Sequence, residues 1–195
     1  MNYFDDSTLY ISARSPFARR VRVAFLEHGV RFTEKTEDVF KPSPAFLAIN
    51  PLGRVPSLVL ESGEILIDSN FILSEFYLEG SSPLATATTE ARLLATHWSA
   101  IAVGLCEKTV EYFLETLRPE PQRDTELIQE FESITQNCLA RLESLLSKRK
   151  ESDSTIVPTI LTQADLDWGC ALAYLSLRYS DAWTRQFPVT QRYLA

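Results

Sequence analysis

Three short stretches combine residue types that can do chemistry. In Ser12-Ala-Arg-Ser15-Pro16-Phe17, a serine stands immediately before a proline at the start of a helical pattern. That is the arrangement of an N-cap followed by Pro at the first helical position. Backbone N–H groups at such an end favour an anion, and a hydroxyl placed there suits a thiolate. In Val55-Pro56, a proline opens a β-like run. A cis bond there turns the chain and leaves the Val55 backbone groups unpaired, ready for an extended peptide. A trans proline at the first position of an edge strand is the alternative. In Asp68-Ser69, a second serine is read as N-cap of a later helix, suited to a carboxylate, with an acid beside it suited to an ammonium. For both serines, plain helix capping is the competing reading.

These stretches sit in an ordered set of elements. Thr8 to Ser12 reads as a strand. Ser15 to His28 reads as a helix with Phe17, Val21, Ala24, Phe25 and His28 on one face, stopped by Gly29. Residues 30–35 alternate as a strand, and 43–49 suit a short helix ended by the turn Asn50-Pro51-Leu52-Gly53. Residues 55–60 and 65–67 are strands joined by a hairpin, and 69–78 form a helix. The order is β-α-β-α-β-β-α, and its strand–helix–strand opening implies parallel pairing by a right-handed crossover. Gly80-Ser-Ser-Pro83 reads as a linker between a domain at 1–80 and another at 86–195. Beyond it strand signals nearly vanish. Long helices are read over 86–117, 122–150 and 162–179, the last opening on a capping box at Thr162-Gln-Ala-Asp165, and a short helix near 182–194.

Composition removes many function classes. The 195 residues carry 19 basic and 26 acidic side chains, a net charge of −7. That opposes a nucleic-acid partner or an anionic membrane surface. No run approaches the length of a membrane-spanning helix, and the acidic start lacks a signal-peptide core, so a cytoplasmic location is expected. Six scattered glycines leave no GxGxxG, P-loop or GxSxG. Two histidines and no CxxC make a metal site an expected absence. Cys106, Cys138 and Cys170 are read as reduced, buried thiols. Trp98, Trp168 and Trp183 are read first as core or domain-interface residues. Arg19-Arg20-x-Arg22 is read mainly as a solvated helix face with ion pairs.

The segments LYISARSPFARRVRVAFLEHG, NPLGRVPSLVLESGEILIDS and LTQADL, in this order and spacing, resemble the glutathione transferase superfamily over nearly the whole chain. The resemblance implies a thioredoxin-like N-terminal domain followed by an all-helical domain. It implies an enzyme, dimeric and of the detoxifying kind, that adds the glutathione thiolate to an electrophilic small hydrophobic molecule. Ser15, in the SPF context of tau-like members, then donates to the glutathione sulfur. Val55, before a cis Pro56, pairs with the cysteinyl part. Asp68 and Ser69 hold the γ-glutamyl end, and Lys41 or Arg54 meets the glycyl carboxylate. Phe17 and Trp168 are weaker candidates for the acceptor pocket.

Rival assignments stay open at this level. Ser12 also lies near the end of the first strand, and Tyr10 matches the tyrosine-using classes, although packing suits it better. The family commonly has Glu where this chain has Asp68. A non-catalytic ligand carrier or regulatory protein, and a glutathione-dependent isomerase or reductase, are the competing functions. The absence of Cys at position 15 counts against disulfide reduction.

Overall fold

The computed structural model describes residues 2–79, 88–149 and 155–194. The linker expected at Gly80–Pro83 lies outside the described residues. The chain divides into two compact units, Met1–Ala85 and Thr86–Ala195.

The first unit follows the order read from the sequence. β1 (Ser7–Ile11), α1 (Pro16–Glu27), β2 (Phe32–Thr36), α2 (Pro44–Ile49), β3 (Ser57–Val59), β4 (Ile65–Ile67) and α3 (Ser69–Glu79) succeed one another. The sheet order is β2-β1-β3-β4. β1 and β2 run parallel across α1, as a right-handed crossover requires, while β3 is antiparallel to both β1 and β4. Alternation along β1 buries Ser7, Leu9 and Ile11. Phe4, Phe25 and Phe76 meet edge-on or tilted, with centroids 4.9–5.8 Å apart, and tie α1 to α3. β3 is shorter than the run 55–60 suggests, because Pro56 cannot donate to a ladder.

The second unit is helical: α4 (Thr89–Thr116), a 3-10 turn at Glu120–Gln122, α5 (Thr125–Leu146), α6 (Gln163–Arg178), α7 (Trp183–Gln186) and α8 (Pro188–Leu194). The short terminal helix expected over 182–194 is two helices, split at Phe187 because Pro188 cannot continue α7. Ala164, Trp168, Ala171, Leu172 and Leu175 make α6 the buried centre, flanked mainly by α4. Trp168 is fully buried against Trp98. Cys106 and Cys170 are buried, whereas Cys138 is half-buried. Among the described residues no helix is long and apolar enough to cross a membrane, and no group of three His, Cys, Asp or Glu is placed to hold a metal ion.

Asp165 holds this unit together at one point. Its carboxylate accepts from Thr162 N and Thr162 Oγ1, both at 2.8 Å, closing the acidic half of the capping box. It also accepts from Ile156 N at 2.7 Å and from the Tyr193 hydroxyl at 3.0 Å. Burial first, then the Asp165 charge, pushes the Tyr193 phenol above its ordinary value, so it stays protonated as a donor. Asp165→Ala leaves the Ile156 and Thr162 N–H groups buried without partners, a loss of about 3 kcal/mol. All three tryptophans lie at 98, 168 and 183, so tryptophan fluorescence during urea unfolding reads this unit. A variant within about 0.5 kcal/mol of the parent, the scale of an ordinary surface substitution, contradicts this account.

Candidate functional site

Strand register brings the three chemical stretches to one end of the sheet. Tyr10 pairs with Ser57, and Ser57 pairs with Ile67. Ser12–Ser15 leaves β1 just beyond this row, Val55-Pro56 enters β3 just before it, and Asp68-Ser69 leaves β4 just after it. Ile11 pairs with Thr36, so the segment carrying Lys41 also departs from this end. Ligands of open sheets built with crossovers gather outside the carboxyl ends of such strands.

Ser15 is the N-cap of α1, in extended conformation, and Ala18 N–H donates to its Oγ at 3.2 Å. Accepting that bond fixes the oxygen and leaves the hydroxyl proton free for another acceptor. A cavity of about 390 Å³ opens here, lined by Ile11, Ser12, Ala13, Ser15, Ala18, Arg19, Arg22, Val23 and Leu26. Ser12 and Ser15 therefore share one cavity. They differ in anchoring: Ser15 Oγ is tied to the helix end, whereas Ser12 supplies its backbone carbonyl to Ser15 N at 2.9 Å.

The Val55–Pro56 peptide is cis. Val55 is buried, and its backbone makes no hydrogen bond among the described residues. What fixes this turn is Asn50, which the sequence reading treats only as a turn residue. It is 1% exposed, and its Nδ2 donates to Arg54 O at 2.8 Å and to Ser57 Oγ at 2.9 Å. Its Oδ1 accepts from Leu52 N at 3.0 Å. Gly53 has φ +62, and a Cβ there meets Pro42 Cγ at 3.1 Å, so the turn requires glycine twice over. Lys41 and Arg54 are both exposed, on the loops flanking α2.

At the start of α3, the cap is Asp68, not Ser69. Asp68 O accepts the first helical bond from Ile72 N, and Asp68 Oδ1 accepts from Asn70 N at 2.8 Å. Asp68 has φ +70, a left-handed conformation that a short polar side chain tolerates. Ser69 is the first helical residue and is buried. Its hydroxyl is engaged by a residue the sequence reading misplaces. Arg20 is 4% exposed rather than solvated, and its Nη1 donates to Ser69 Oγ at 3.1 Å and to Asn70 Oδ1 at 2.5 Å. Helical periodicity carried the signal, because Arg20 falls on the face of Phe17, Val21 and Ala24. Its charge masked it. The bond leaves the Ser69 proton free to donate outward and puts a buried cation behind that hydroxyl.

Other candidates lie elsewhere. Phe17 is half-buried and does not line the cavity. Trp168, offered as an acceptor-pocket residue, is core of the helical unit at 0% exposed, with no surface to present. Tyr10 stacks on Phe46 at 5.3 Å, in keeping with packing.

The first unit is a thioredoxin-like sheet, one end of which collects capped helices, and the second is all-helical. Residues 9–82 match the family described as glutathione S-transferase, N-terminal domain. Over 169 residues the chain is 30% identical to the uncharacterised GST-like protein YibF of Escherichia coli K12, covering 86% of this chain and 81% of that protein. A glutathione S-transferase structure from Methylobacillus flagellatus KT, with glutathione bound, is 30% identical with TM-score 0.87, over 97% of this chain and 93% of that one. One from Methylobacterium radiotolerans JCM 2831, in complex with glutathione sulfonate, is 27% identical with TM-score 0.89, over 97% and 88%. The maleylacetoacetate isomerase of Pseudomonas aeruginosa is 38% identical over 80 residues, 38% of this chain and 37% of that protein. The chain belongs to the glutathione transferase superfamily.

The Asp68 geometry has a measurable consequence. Asp68→Ala loses the cap and keeps a left-handed residue with a Cβ, whereas Asp68→Gly loses only the cap. The glycine variant is expected to be more stable than the alanine variant by about 1 kcal/mol. Thermal melts of both, followed by far-UV circular dichroism, check this; an alanine variant equal to or better than glycine contradicts it.

Proposed function

We propose that the protein is an active glutathione transferase, in which Ser15 stabilises the glutathione thiolate and that thiolate attacks an electrophilic carbon of a small, partly apolar acceptor. The observation that carries this reading is the anchored Ser15 hydroxyl at the N-terminus of α1, facing a cavity. The hydroxyl donates to the sulfur and favours its charged form at neutral pH. Each unit of thiol pKa depression is worth about 1.36 kcal/mol. The serine does not attack. Its role is electrostatic, joined to proximity of the two reactants.

The remaining residues hold the tripeptide. The unpaired Val55 backbone pairs with the cysteinyl residue as an added strand, aimed by cis Pro56. Asp68 takes the γ-glutamyl ammonium, and Ser69, backed by Arg20, takes its carboxylate. Lys41 or Arg54 takes the glycyl carboxylate. Reduction through a mixed disulfide is disfavoured, because position 15 is serine and all three cysteines lie in the helical unit.

Ser15→Ala is expected to fold and bind glutathione, with conjugation slowed about 10- to 1,000-fold and the apparent thiol pKa raised toward its solution value. The comparison that decides is Ser15→Ala against Ser12→Ala, each assayed for rate across pH. Loss of rate in Ser12→Ala alone transfers the role to Ser12. Loss in neither, with no conjugation by the parent, favours a ligand carrier.

The same reading implies a homodimer formed through α3 and α4. In support, α3 leaves Phe71 68% and Leu78 76% exposed, a large apolar surface for a solitary unit. A stable pair buries at least ~1,200 Å². Sedimentation at micromolar concentration is expected to give twice the chain mass, and a strict monomer overturns this expectation.

A further inference from the structure

The cavity beside Ser15 has a wall of a particular chemistry. Arg19 and Arg22 line it, and no carboxylate does. Both project from α1, four and seven residues beyond Ser15, about 6 and 10 Å along the helix axis at 1.5 Å per residue. Arg22 is tied through Nε to Glu34 Oε1 at 2.5 Å, which uses one edge of its guanidinium. The Arg19 backbone N–H donates to Ser15 O at 3.1 Å, while its guanidinium makes no hydrogen bond or ion pair among the described residues. The rest of the lining is small or apolar: Ile11, Ala13, Ala18, Val23 and Leu26, the last 60% exposed at the rim.

This placement is unusual for the molecule that carries it. The protein has a net charge of −7, so its general field repels anions. Arg22 is compensated by Glu34, so the guanidinium of Arg19 is the uncompensated charge on the wall, and beside an apolar floor it opposes that field locally. The two ends of the cavity differ: hydroxyls of Ser12 and Ser15 at one, guanidinium groups one to two helical turns away at the other. A planar fork at that distance suits a carboxylate, with carbon skeleton lying between it and the hydroxyls.

We propose that the acceptor is an anionic electrophile, a carboxylic acid whose reactive carbon lies about one aromatic ring from its carboxylate, with Arg19 as the binding residue for that carboxylate and Arg22 supporting it. The proposal rests on the transferase reading of the same cavity. The carboxylate docks on the arginines, which brings the reactive carbon to the sulfur held at Ser15. In a substitution on a chloroarene, the thiolate forms the new carbon–sulfur bond and chloride leaves with the carbon–chlorine electron pair. No proton or electron is exchanged with the protein.

The test uses two acceptors with one reaction centre: 4-chloro-3-nitrobenzoate and 4-chloro-3-nitrobenzamide, at saturating glutathione with the full chain. Each kcat/KM is divided by the uncatalysed rate constant, which removes the intrinsic difference in reactivity. The acid-to-amide ratio is expected to exceed one in the parent and to fall about tenfold in Arg19→Gln, through KM. It falls further in Arg19→Glu, is partly kept in Arg19→Lys, and declines as salt is raised, because the contact is partly solvated. A ratio unmoved by Arg19→Gln overturns the proposal. So does a rise in the glutathione KM with both acceptors and no change in ratio, which assigns Arg19 to glutathione. If neither acceptor reacts above the uncatalysed rate, the transferase reading fails, and binding of the two pre-formed glutathione conjugates decides the present proposal. Tighter binding of the carboxylate conjugate, lost in Arg19→Gln, sustains it; equal affinities end it.

Discussion

Ser57 is the residue on which the rest of the N-terminal unit turns. It is fully buried, pairs with Tyr10 on one side and Ile67 on the other, and exchanges hydrogen bonds with Asn50 and the Arg54 carbonyl. A slip of one residue in β3 sends every side chain of the strand to the opposite face. It also moves Val55-Pro56 away from the ends of β1 and β4, so that the three loops no longer share one rim. The strand is only three residues long and cannot enforce register through its ladder alone. The Asn50 side chain supplies what the ladder lacks, because it fixes the loop on one side of cis Pro56 and Ser57 on the other. A buried amide with three hydrogen bonds is a stronger specification of register than another apolar contact, since a slipped strand leaves it unsatisfied.

Much of this was legible in the sequence, for reasons that are themselves physical. Period-2 and period-3.6 patterns place β1, β4, α1 and α3 within a residue or two, because alternation on a half-buried surface is what makes those elements form. Serine before proline locates the start of α1, and Thr162 to Asp165 locates the start of α6, because capping is a local interaction. What was not legible depends on partners distant in the chain. Arg20 lies 49 residues from Ser69, and nothing near it announces burial except its position on the helix. Asn50 reads as a turn residue because its side-chain bonds to Arg54 and Ser57 need the fold to exist. Asp68 takes the cap from Ser69 because the chain leaves β4 in a left-handed turn, which no local propensity foretells.

The α3 terminus shows how the two serines of the site differ. Ser15 is held by a backbone N–H of its own helix, so its anchoring is a property of a few consecutive residues. Ser69 is held by a guanidinium from another helix. The first arrangement places one hydroxyl with little added charge. The second places a hydroxyl in front of a buried cation, which strengthens any bond it donates to an anion in a low-dielectric setting.

Helix α1 makes both arrangements available at once. Its three arginines fall within four residues, and rotation of about 100° per residue gives each a different fate. Arg20 turns inward and braces Ser69 and Asn70. Arg22 pairs with Glu34 on β2. Arg19 lines the cavity with Ser15. Exchanging Arg19 and Arg20 for other residues is therefore not equivalent, although they are neighbours of identical type. Loss of Arg20 removes hydrogen bonds to buried Ser69 and to Asn70 and disturbs the start of α3. Loss of Arg19 removes only charge from an open wall. The sequence run of three basic residues, which looks like a single solvated patch, is a helix distributing one kind of side chain between a buried brace, an ion pair and a cavity wall.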